Sequence, residues 1–209
     1  MKSNNIILLW MCSFCTTLVI AQYTSEAKFG AGEWLTLQST TTPALSRYYL
    51  SHKNGLGFII PFEATNDDFR WQLVPGLANK NCYSIESKSY PGRYLRHQGY
   101  RIKLHLDDGS DLFKKDATWM VREPAPGQVR FESYNYNGHF LRHFNYELWL
   151  GSGSGTGVHT ARLFLEDSTY NVHFDDKNTA DEEGVDFSKR ELCGKACLDE
   201  ESIKESSIK

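Results

Sequence analysis

The sequence predicts an all-β domain built from three copies of one unit of about 46 residues. Residues 87–106 and residues 133–150 share the pattern Ser-x-x-Tyr-x-Gly-x-aromatic-Leu-Arg-His-x-x-Tyr at an offset of 46 positions. A more divergent copy lies upstream, where residues 49–52 match residues 94–97 at an offset of 45, with serine in place of arginine. A fixed period of this length is typical of folds assembled from repeated supersecondary units.

Each copy has the pattern of short β-strands. Polar and apolar residues alternate with period two in residues 94–97, 101–106, 140–143 and 147–150, and aromatic and branched side chains are frequent there. Pro-Gly, Asn-Gly and Asp-Gly pairs separate these segments as turns. One copy, with about four strands, cannot bury both faces of its sheet, but three copies can close into a barrel without exposed edges. The predicted fold is therefore a β-trefoil with pseudo-threefold internal repeats.

Two sets of apolar residues recur at matching positions and are predicted to form layers of the core. The first set is Leu50, Leu95 and Leu141. The second set is aromatic, because Trp71 in the first copy aligns with Trp119 in the second. In the last copy we expect Phe164 at this aromatic position.

The ends of the chain differ in composition from its body. An apolar run at residues 6–20 is followed by Ala21, which predicts a secretory signal peptide at residues 1–21 and a secreted, extracellular protein. The run has about 15 residues and is shorter than the roughly 20 that a membrane span needs, and no second such run follows. The trefoil is assigned to residues 22–174. Residues 175–209 contain 11 acidic and 6 basic residues and are expected to form a disordered or loosely attached tail.

Charge and cysteine content exclude several classes of protein. Residues 22–174 carry 15 acidic and 16 basic residues, so no electrostatic footprint for nucleic acid is expected. The predicted mature chain has three cysteines, so at most one intrachain disulfide can form. Cys193 can pair with Cys197, or Cys82 can pair with either of them.

Several motifs together carry a resemblance to a known family. They are Tyr-Pro-Gly-Arg-Tyr-Leu-Arg-His at residues 90–97, Asp-Asp-Gly-Ser at 107–110, Asp-Ala-Thr-Trp at 116–119 and Phe-Leu-Arg-His at 140–143. Over about residues 30–168 the sequence resembles the arabinofuranosidase B-type arabinose-binding domain, carbohydrate-binding module family 42. The resemblance implies a β-trefoil with one potential pocket per copy for arabinofuranose side chains of plant polysaccharide. It also implies a disulfide from Cys82, but Met120 stands at the position of its partner.

The resemblance further implies which residues bind the sugar. In that family each working pocket uses the histidine of the Arg-His motif and the aspartate of the Asp-Ala-Thr motif. The corresponding pairs are His97 with Asp116 in the middle copy and His52 with Asp68 in the first copy.

The last copy keeps His143, but Ala161 stands where the aspartate is expected, so this third pocket is expected to be weakened or lost. Tyr90 and Tyr100 are expected to form the floor or a wall of such a pocket.

These residue types suit sugar recognition. A carboxylate accepts hydrogen bonds from two hydroxyl groups at once, an imidazole nitrogen adds a directed partner, and a tyrosine ring packs on C–H faces. The alternative is that each repeated histidine is a core residue bonded to backbone and each repeated aspartate caps a turn. Arg96 and Arg142 are expected to be structural and to pair with a carboxylate or a carbonyl.

The function predicted from the sequence is that of a secreted, non-catalytic carbohydrate-binding protein whose partner is a glycan or polysaccharide. No cofactor is expected, and no metal site, because His139 and His143 would share a metal only on a helix. The alternative is a structural or interaction protein of the extracellular matrix or of a secretion. Glycoside hydrolysis needs two carboxylates about 5–10 Å apart across a cleft, and no such pair stands out. The oligomeric state is left open.

Overall fold

The structure, a computed structural model, describes residues 33–175, and within this range the chain forms twelve β-strands and two short α-helices. The strands are β1 (Leu35–Ser39), β2 (Tyr48–Lys53), β3 (Leu56–Pro61), β4 (Trp71–Pro75), β5 (Tyr83–Ser87), β6 (Arg93–Gln98), β7 (Arg101–Leu106), β8 (Trp119–Arg122), β9 (Gln128–Ser133), β10 (Phe140–Phe144), β11 (Glu147–Gly151) and β12 (Tyr170–Phe174). The helices are α1 (Asp111–Asp116) and α2 (Phe164–Asp167), and single turns of 3-10 helix lie at Pro43–Leu45, Asp67–Phe69 and Gly157–His159. The predicted signal peptide and, apart from Asp175, the predicted acidic tail lie outside the described residues.

Six strands pair in a ring. The antiparallel pairs run from β1 to β12, β9, β8, β5 and β4, and β4 pairs with β1 again. Because every strand of the ring has a partner on both sides, none of the six presents a free edge. The prediction of an all-β domain is confirmed.

The other six strands form three hairpins, β2–β3, β6–β7 and β10–β11. The hairpins also pair with one another, because β3 contacts β7, β7 contacts β11 and β11 contacts β3. Each hairpin turns through two residues with positive φ, which is the geometry of the type I′ turn that suits the twist of the strands. In two of these turns the second residue is a tyrosine, Tyr100 or Tyr146, so an aromatic ring is held at the tip of the hairpin.

The core is formed by side chains from the ring and from the hairpins. Leu50, Leu95 and Leu141 are fully buried, as predicted. Trp71 and Trp119 are also fully buried, and each indole N–H donates a hydrogen bond of 3.1 Å to a backbone carbonyl, that of Leu50 or Leu95 respectively. The buried indoles therefore satisfy their only polar group and join the two predicted layers.

The third aromatic residue of the core is Tyr170, and the prediction of Phe164 was wrong. Tyr170 is the first residue of β12, is fully buried and pairs with Val129 of β9. Phe164 lies in α2, is only partly buried and packs 5.9 Å from the ring of Phe140. The glycine- and serine-rich connection of residues 151–157 makes the last copy longer than the others. A repeat offset of about 46 residues from Trp119 therefore ends several residues before Tyr170.

Cys82 is fully buried and disulfide-bonded. Cys193 and Cys197, the two predicted partners in a disulfide, lie outside the described residues. The longest helix in residues 33–175 has six residues, and none of the described helices has the length and apolar character of a membrane span.

Substitution of the aromatic layer tests the revised position of the third aromatic residue. We expect Tyr170→Ala to lower the free energy of unfolding by about 3–5 kcal/mol, the usual effect of deleting a fully buried ring. Phe164→Ala should cost about half of that or less, because the ring is only partly removed from water. Urea unfolding followed by tryptophan fluorescence measures both values. Equal losses for the two variants would contradict this assignment of the core.

Candidate functional site

An imidazole and a carboxylate face each other in three equivalent places. The distance from histidine Nε2 to aspartate Oδ1 is 3.2, 3.5 and 3.4 Å in the first, middle and third site. The pairs are His52 with Asp68, His97 with Asp116, and His143 with Asp167. Each histidine lies on the first strand of a hairpin, and each aspartate lies on a helical segment of three to six residues rather than on a strand.

Local sequence explains why the two side chains meet. Each aspartate stands three residues before the aromatic residue that begins the next strand of the ring, as Asp116 precedes Trp119. Each histidine stands two residues after a leucine of the core, and Leu95 is the residue whose carbonyl accepts the indole N–H of Trp119. The short helix α1 is held in register by Ser110, whose hydroxyl oxygen accepts from the backbone N–H of Phe113 at 3.1 Å.

The middle pair is nearly enclosed by its own hydrogen bonds. Asp116 Oδ2 accepts from Arg96 Nη2 at 2.6 Å, and Asp116 Oδ1 accepts from Asn135 Nδ2 at 2.8 Å. Asn135 Oδ1 lies 2.9 Å from His97 Nε2, and because an amide oxygen can only accept, the imidazole carries its proton on Nε2. Only 5% of the His97 side chain and 6% of the Asp116 side chain are exposed. The two residues are brought together as predicted, but their polar atoms are largely occupied.

The third site has a carboxylate that the sequence analysis missed. Asp167, not Ala161, faces His143, and Arg142 Nη2 donates to Asp167 Oδ2 at 2.5 Å. Thr41 donates its hydroxyl hydrogen to Asp167 Oδ1 at 2.9 Å and accepts from His143 Nε2 at 2.8 Å. The expectation that this site had lost its carboxylate was therefore wrong. The motif Asp-Ser-Thr-Tyr at residues 167–170 parallels Asp-Ala-Thr-Trp at 116–119 and was the signal that could have identified it.

The first site is the most open of the three. Ser51 replaces the arginine, and its hydroxyl donates to the backbone carbonyl of Asp68 at 3.0 Å rather than to the carboxylate. Ser89 stands where Asn135 stands in the middle site and contacts His52 Nε2 at 3.3 Å. Among the described residues, His52 is the only one whose side chain contacts the Asp68 carboxylate. The Asp68 side chain is 32% exposed. Two shorter side chains therefore leave this carboxylate accessible to solvent.

Each site also uses residues of the copy that follows, which the sequence analysis did not foresee. A serine at the end of β5, β9 or β1 and a second polar residue two positions later lie at the histidine of the preceding copy. Both contact the imidazole in the middle and third sites, whereas in the first site Ser89 contacts His52 and Ser87 contacts Ser89. These pairs are Ser87 and Ser89 for the first site, Ser133 and Asn135 for the middle site, and Ser39 and Thr41 for the third site. The sites therefore lie at the junctions between copies.

Tyr90 likewise belongs to the site of the preceding copy. The Tyr90 ring lies 5.4 Å from the His52 ring, edge to face, so it lines the first site and not the middle one. Tyr136 occupies the equivalent place against His97, at 5.0 Å. Tyr100 lies 5.9 Å from Tyr136 and is exposed, at the outer margin of the middle site.

Cavities adjoin the first and third sites. The first cavity has about 400 Å³ and is lined by His52, Lys53, Asn54, Gly55, Asp68, Tyr90, Arg93 and Leu104. The third has about 330 Å³, and beside His143 and Asp167 it has a more apolar wall that includes Leu45, Phe144, Tyr146 and Leu163. Both volumes are in the range of small-molecule sites.

The imidazoles of the three sites are electrically neutral near pH 7. Burial lowers the pKa of His52, His97 and His143 below their ordinary value of 6.5, and the facing aspartates offset this effect only in part. A neutral imidazole in the Nε2–H form can donate to an oxygen without adding charge. In residues 33–175 no group of three or more histidine, cysteine, aspartate or glutamate side chains could hold a metal ion.

The strand ring, the three hairpins and the three repeated polar sites define an all-β domain built from internal repeats. The chain belongs to the alpha-L-arabinofuranosidase B (ABFB) domain family, whose model matches residues 38–172, and this confirms the resemblance found in the sequence. An alpha-L-arabinofuranosidase of Hypocrea jecorina is 29% identical over 153 residues, which are 71% of this chain and 31% of that protein. Alpha-L-arabinofuranosidase B of Aspergillus niger is 31% identical over 133 residues, or 57% of this chain and 26% of the relative. The chain spans about a third of the length of the relatives it matches.

Solved structures agree with the sequence comparisons. A GH54 α-L-arabinofuranosidase mutant soaked with 4-nitrophenyl α-L-arabinofuranoside has a TM-score of 0.65 and 27% identity, over 69% of this chain and 31% of that one. An arabinofuranosidase complexed with arabinofuranosyl-α-1,2-xylobiose gives a TM-score of 0.63 at 27% identity, over 68% and 31% of the two chains. An endo-β-galactosidase of Clostridium perfringens shares the fold at 13% identity, with a TM-score of 0.51 over 68% and 32%.

Removal of single carboxylates distinguishes the closed site from the open one. We expect Asp116→Ala to lower the free energy of unfolding by about 3–5 kcal/mol, because it leaves the Arg96 guanidinium buried without its partner. Asp68→Ala should change it by about 1 kcal/mol or less, because the pair it breaks is partly solvated. Chemical denaturation measures both, and a larger loss for Asp68→Ala would show that the burial of the two sites is assigned the wrong way round.

The neutral imidazoles also predict how stability depends on pH. As the pH falls through about 6.5 the unfolded chain takes up protons that the folded protein, with its lowered histidine pKa values, still excludes. The folded state should therefore lose stability progressively between pH 7 and about pH 5. Thermal unfolding across this range tests the direction, and NMR titration of the imidazole C–H signals should give midpoints below 6.5 for His52, His97 and His143. A melting temperature that rises on acidification would contradict the assignment.

Proposed function

We propose that this protein is a secreted, non-catalytic carbohydrate-binding protein that recognises arabinofuranose-type glycan residues through its histidine–aspartate sites. The observation that carries the proposal is the same imidazole–carboxylate pair, at 3.2–3.5 Å, in three equivalent places of one domain. The match to the ABFB domain family supports the class of ligand. Secretion is supported by the apolar run that precedes Ala21 in the sequence.

We further propose that the domain is a β-trefoil. Six strands paired in a ring and three hairpins that pair with one another are the arrangement that three four-strand copies would produce. Each copy would contribute two strands to the ring and one hairpin. This architecture accounts for the three sites at the junctions between copies.

The first site is the principal binding site in this proposal. Its Asp68 carboxylate is accessible, and a carboxylate held on a rigid turn can accept two vicinal hydroxyl groups of a furanose. His52 contributes a fixed polar partner beside it, and the Tyr90 ring adds an apolar wall for the C–H face of the sugar. These are the three contacts that a small polar ring with apolar faces requires.

The other two sites contribute less. In the third site a sugar can enter the adjoining cavity, but Asp167 already accepts from Arg142 and Thr41. In the middle site a sugar would have to replace the contact between Asn135 and Asp116. His143, His97 and Asp116 therefore remain ligand-binding residues of this proposal with a lower expected affinity than the first site.

The non-catalytic part of the proposal is supported by the extent of the family match. The relatives are enzymes, and the region of this chain that matches the family model is the ABFB domain. The carboxylates of the three sites each face a histidine in a separate place, whereas hydrolysis uses two carboxylates on one scissile bond. We propose that the protein holds glycans and does not cleave them.

Titration of the full chain with arabinofuranosides and arabinoxylan tests this function. Calorimetry should show binding by the wild type, and Asp68→Ala should weaken it about tenfold or more, because the lost hydrogen bonds are charge-assisted. Asp67→Ala is the matched control, since Asp67 is adjacent but pairs with Arg70 and Lys88 and does not line the cavity. If no glycan binds, the alternative of a structural or interaction protein is favoured. Release of 4-nitrophenol from its α-L-arabinofuranoside by the protein would refute the non-catalytic assignment.

A further inference from the structure

The cavity of the first site has two cations at its margin. Lys53 is the last residue of β2 and Arg93 is the first residue of β6, and both side chains are exposed and line the cavity with His52 and Asp68. With a neutral imidazole at His52, the formal charge of the lining is two positive and one negative. The cavity is therefore net positive although the domain as a whole is close to neutral.

The positions of the two cations are particular to this site, although the third cavity is also lined by two arginines, Arg142, which pairs with Asp167, and Arg162. The residue that follows the site histidine is Lys53 here, Gln98 in the middle site and Phe144 in the third site. The position of Arg93 is occupied by His139 in the last copy, which borders the middle site, and by Tyr48 in the first copy, which borders the third site. The other two sites have no lysine or arginine at these two positions, so the common plan of the sites does not require them.

Both cations are free to meet a ligand. Neither Lys53 nor Arg93 forms an ion pair with any residue of the described range 33–175. The Arg93 guanidinium lies 5.8 Å from the Tyr90 ring centroid, so this aromatic wall keeps it beside the cavity without neutralising it. A guanidinium and an ammonium placed this way are suited to bind an anionic oxygen group.

We infer that the first site binds a sugar residue that carries an anionic group, with the anion held by Lys53 and Arg93 and the ring hydroxyls held by His52 and Asp68. A uronic acid has this chemistry, because its carboxylate is attached to a ring that also bears vicinal hydroxyls. The cavity of about 400 Å³ accommodates a single sugar residue. This inference rests on the proposed function and names the ligand class of its principal site.

The arrangement also determines how the ligand is oriented. An anion next to Asp68 would be repelled, whereas an anion at the cationic margin is attracted, so the ring must place its hydroxyls inward and its anionic group outward. A neutral furanose satisfies only the inner half of the site. The acidic sugar should therefore bind more tightly, and its advantage should decrease as salt screens the exposed cations.

Matched ligands and matched variants test this inference on the full chain. Calorimetry compares methyl glucuronide with methyl glucoside, which lacks the charge, with glucose 6-sulfate and with methyl arabinofuranoside. We expect the glucuronide to bind about tenfold or more tightly than the glucoside in low salt, which corresponds to one charge-assisted contact. Lys53→Gln together with Arg93→Gln should remove this difference, and Lys80→Gln, an exposed lysine outside the cavity, should not. Tighter binding of the sulfate than of the glucuronide would still support an anionic sugar and would identify a sulfate ester as the preferred form.

The outcomes separate this inference from the proposed function. If the arabinofuranoside and glucoside bind as well as the glucuronide, and the double variant binds all of them normally, the anionic ligand class is wrong and the proposed function stands. If none of the four sugars binds, both fail. Circular dichroism and thermal melting of the variants establish that a loss of binding is not a loss of fold.

Discussion

The hydrogen bond between a buried indole and the carbonyl of a core leucine couples the core of this domain to its sites. Trp71 and Trp119 each donate to the leucine that stands two residues before a site histidine, and each follows a site aspartate by three residues. The bond therefore fixes the position of the strand that carries the histidine relative to the helical segment that carries the aspartate. The two side chains are held together because each lies within three residues of one partner of this bond. In the third copy Tyr170 takes the place of the indole and donates its hydroxyl to the backbone carbonyl of Asp167 at 3.5 Å. The distance between imidazole and carboxylate nevertheless differs by only 0.3 Å over the three sites, so packing of the buried ring is the feature that they share.

Much of the fold could be predicted from the sequence because its strands are short, alternate regularly and recur at an almost constant offset. The leucine layer and the His52–Asp68 and His97–Asp116 pairs follow from that repetition, and their assigned partners face each other in the structure. The last copy could not be aligned by offset, because 24 positions separate its histidine and aspartate against 19 in the middle copy and 16 in the first. Loop length changes freely on a surface, whereas the three-residue step from aspartate to aromatic residue is set by packing. In the last copy the three-residue spacing from aspartate to aromatic residue identifies the site correctly, whereas the offset of 46 residues between copies does not.

The contribution of neighbouring copies could not be found by comparing one copy with another. Repetition shows that Ser89 and Asn135 are equivalent, but it does not show that each of them contacts the histidine of the preceding copy. Which copy supplies the neighbouring histidine depends on the order in which the three copies pair around the strand ring, and one copy alone does not contain this order. The same limit applies to Tyr90, which is close to His97 in the sequence but packs on His52. In a domain of repeated units, the residues at the junctions are assigned correctly only when the order of the units around the ring is known.

The three sites show how one plan yields either stability or access. An arginine that pairs with a buried carboxylate must lose its water, and the loss is compensated only where every donor and acceptor is satisfied, as at Asp116 and Asp167. Such a site is rigid, and its carboxylate has little capacity left for a ligand. Replacement of the arginine by Ser51 removes the buried cation, so the carboxylate of Asp68 can remain partly in water without an uncompensated charge beside it. The copy that departs most from the shared pattern is therefore the one with the most exposed carboxylate, and this exposure is the reason that the proposed function makes it the principal site.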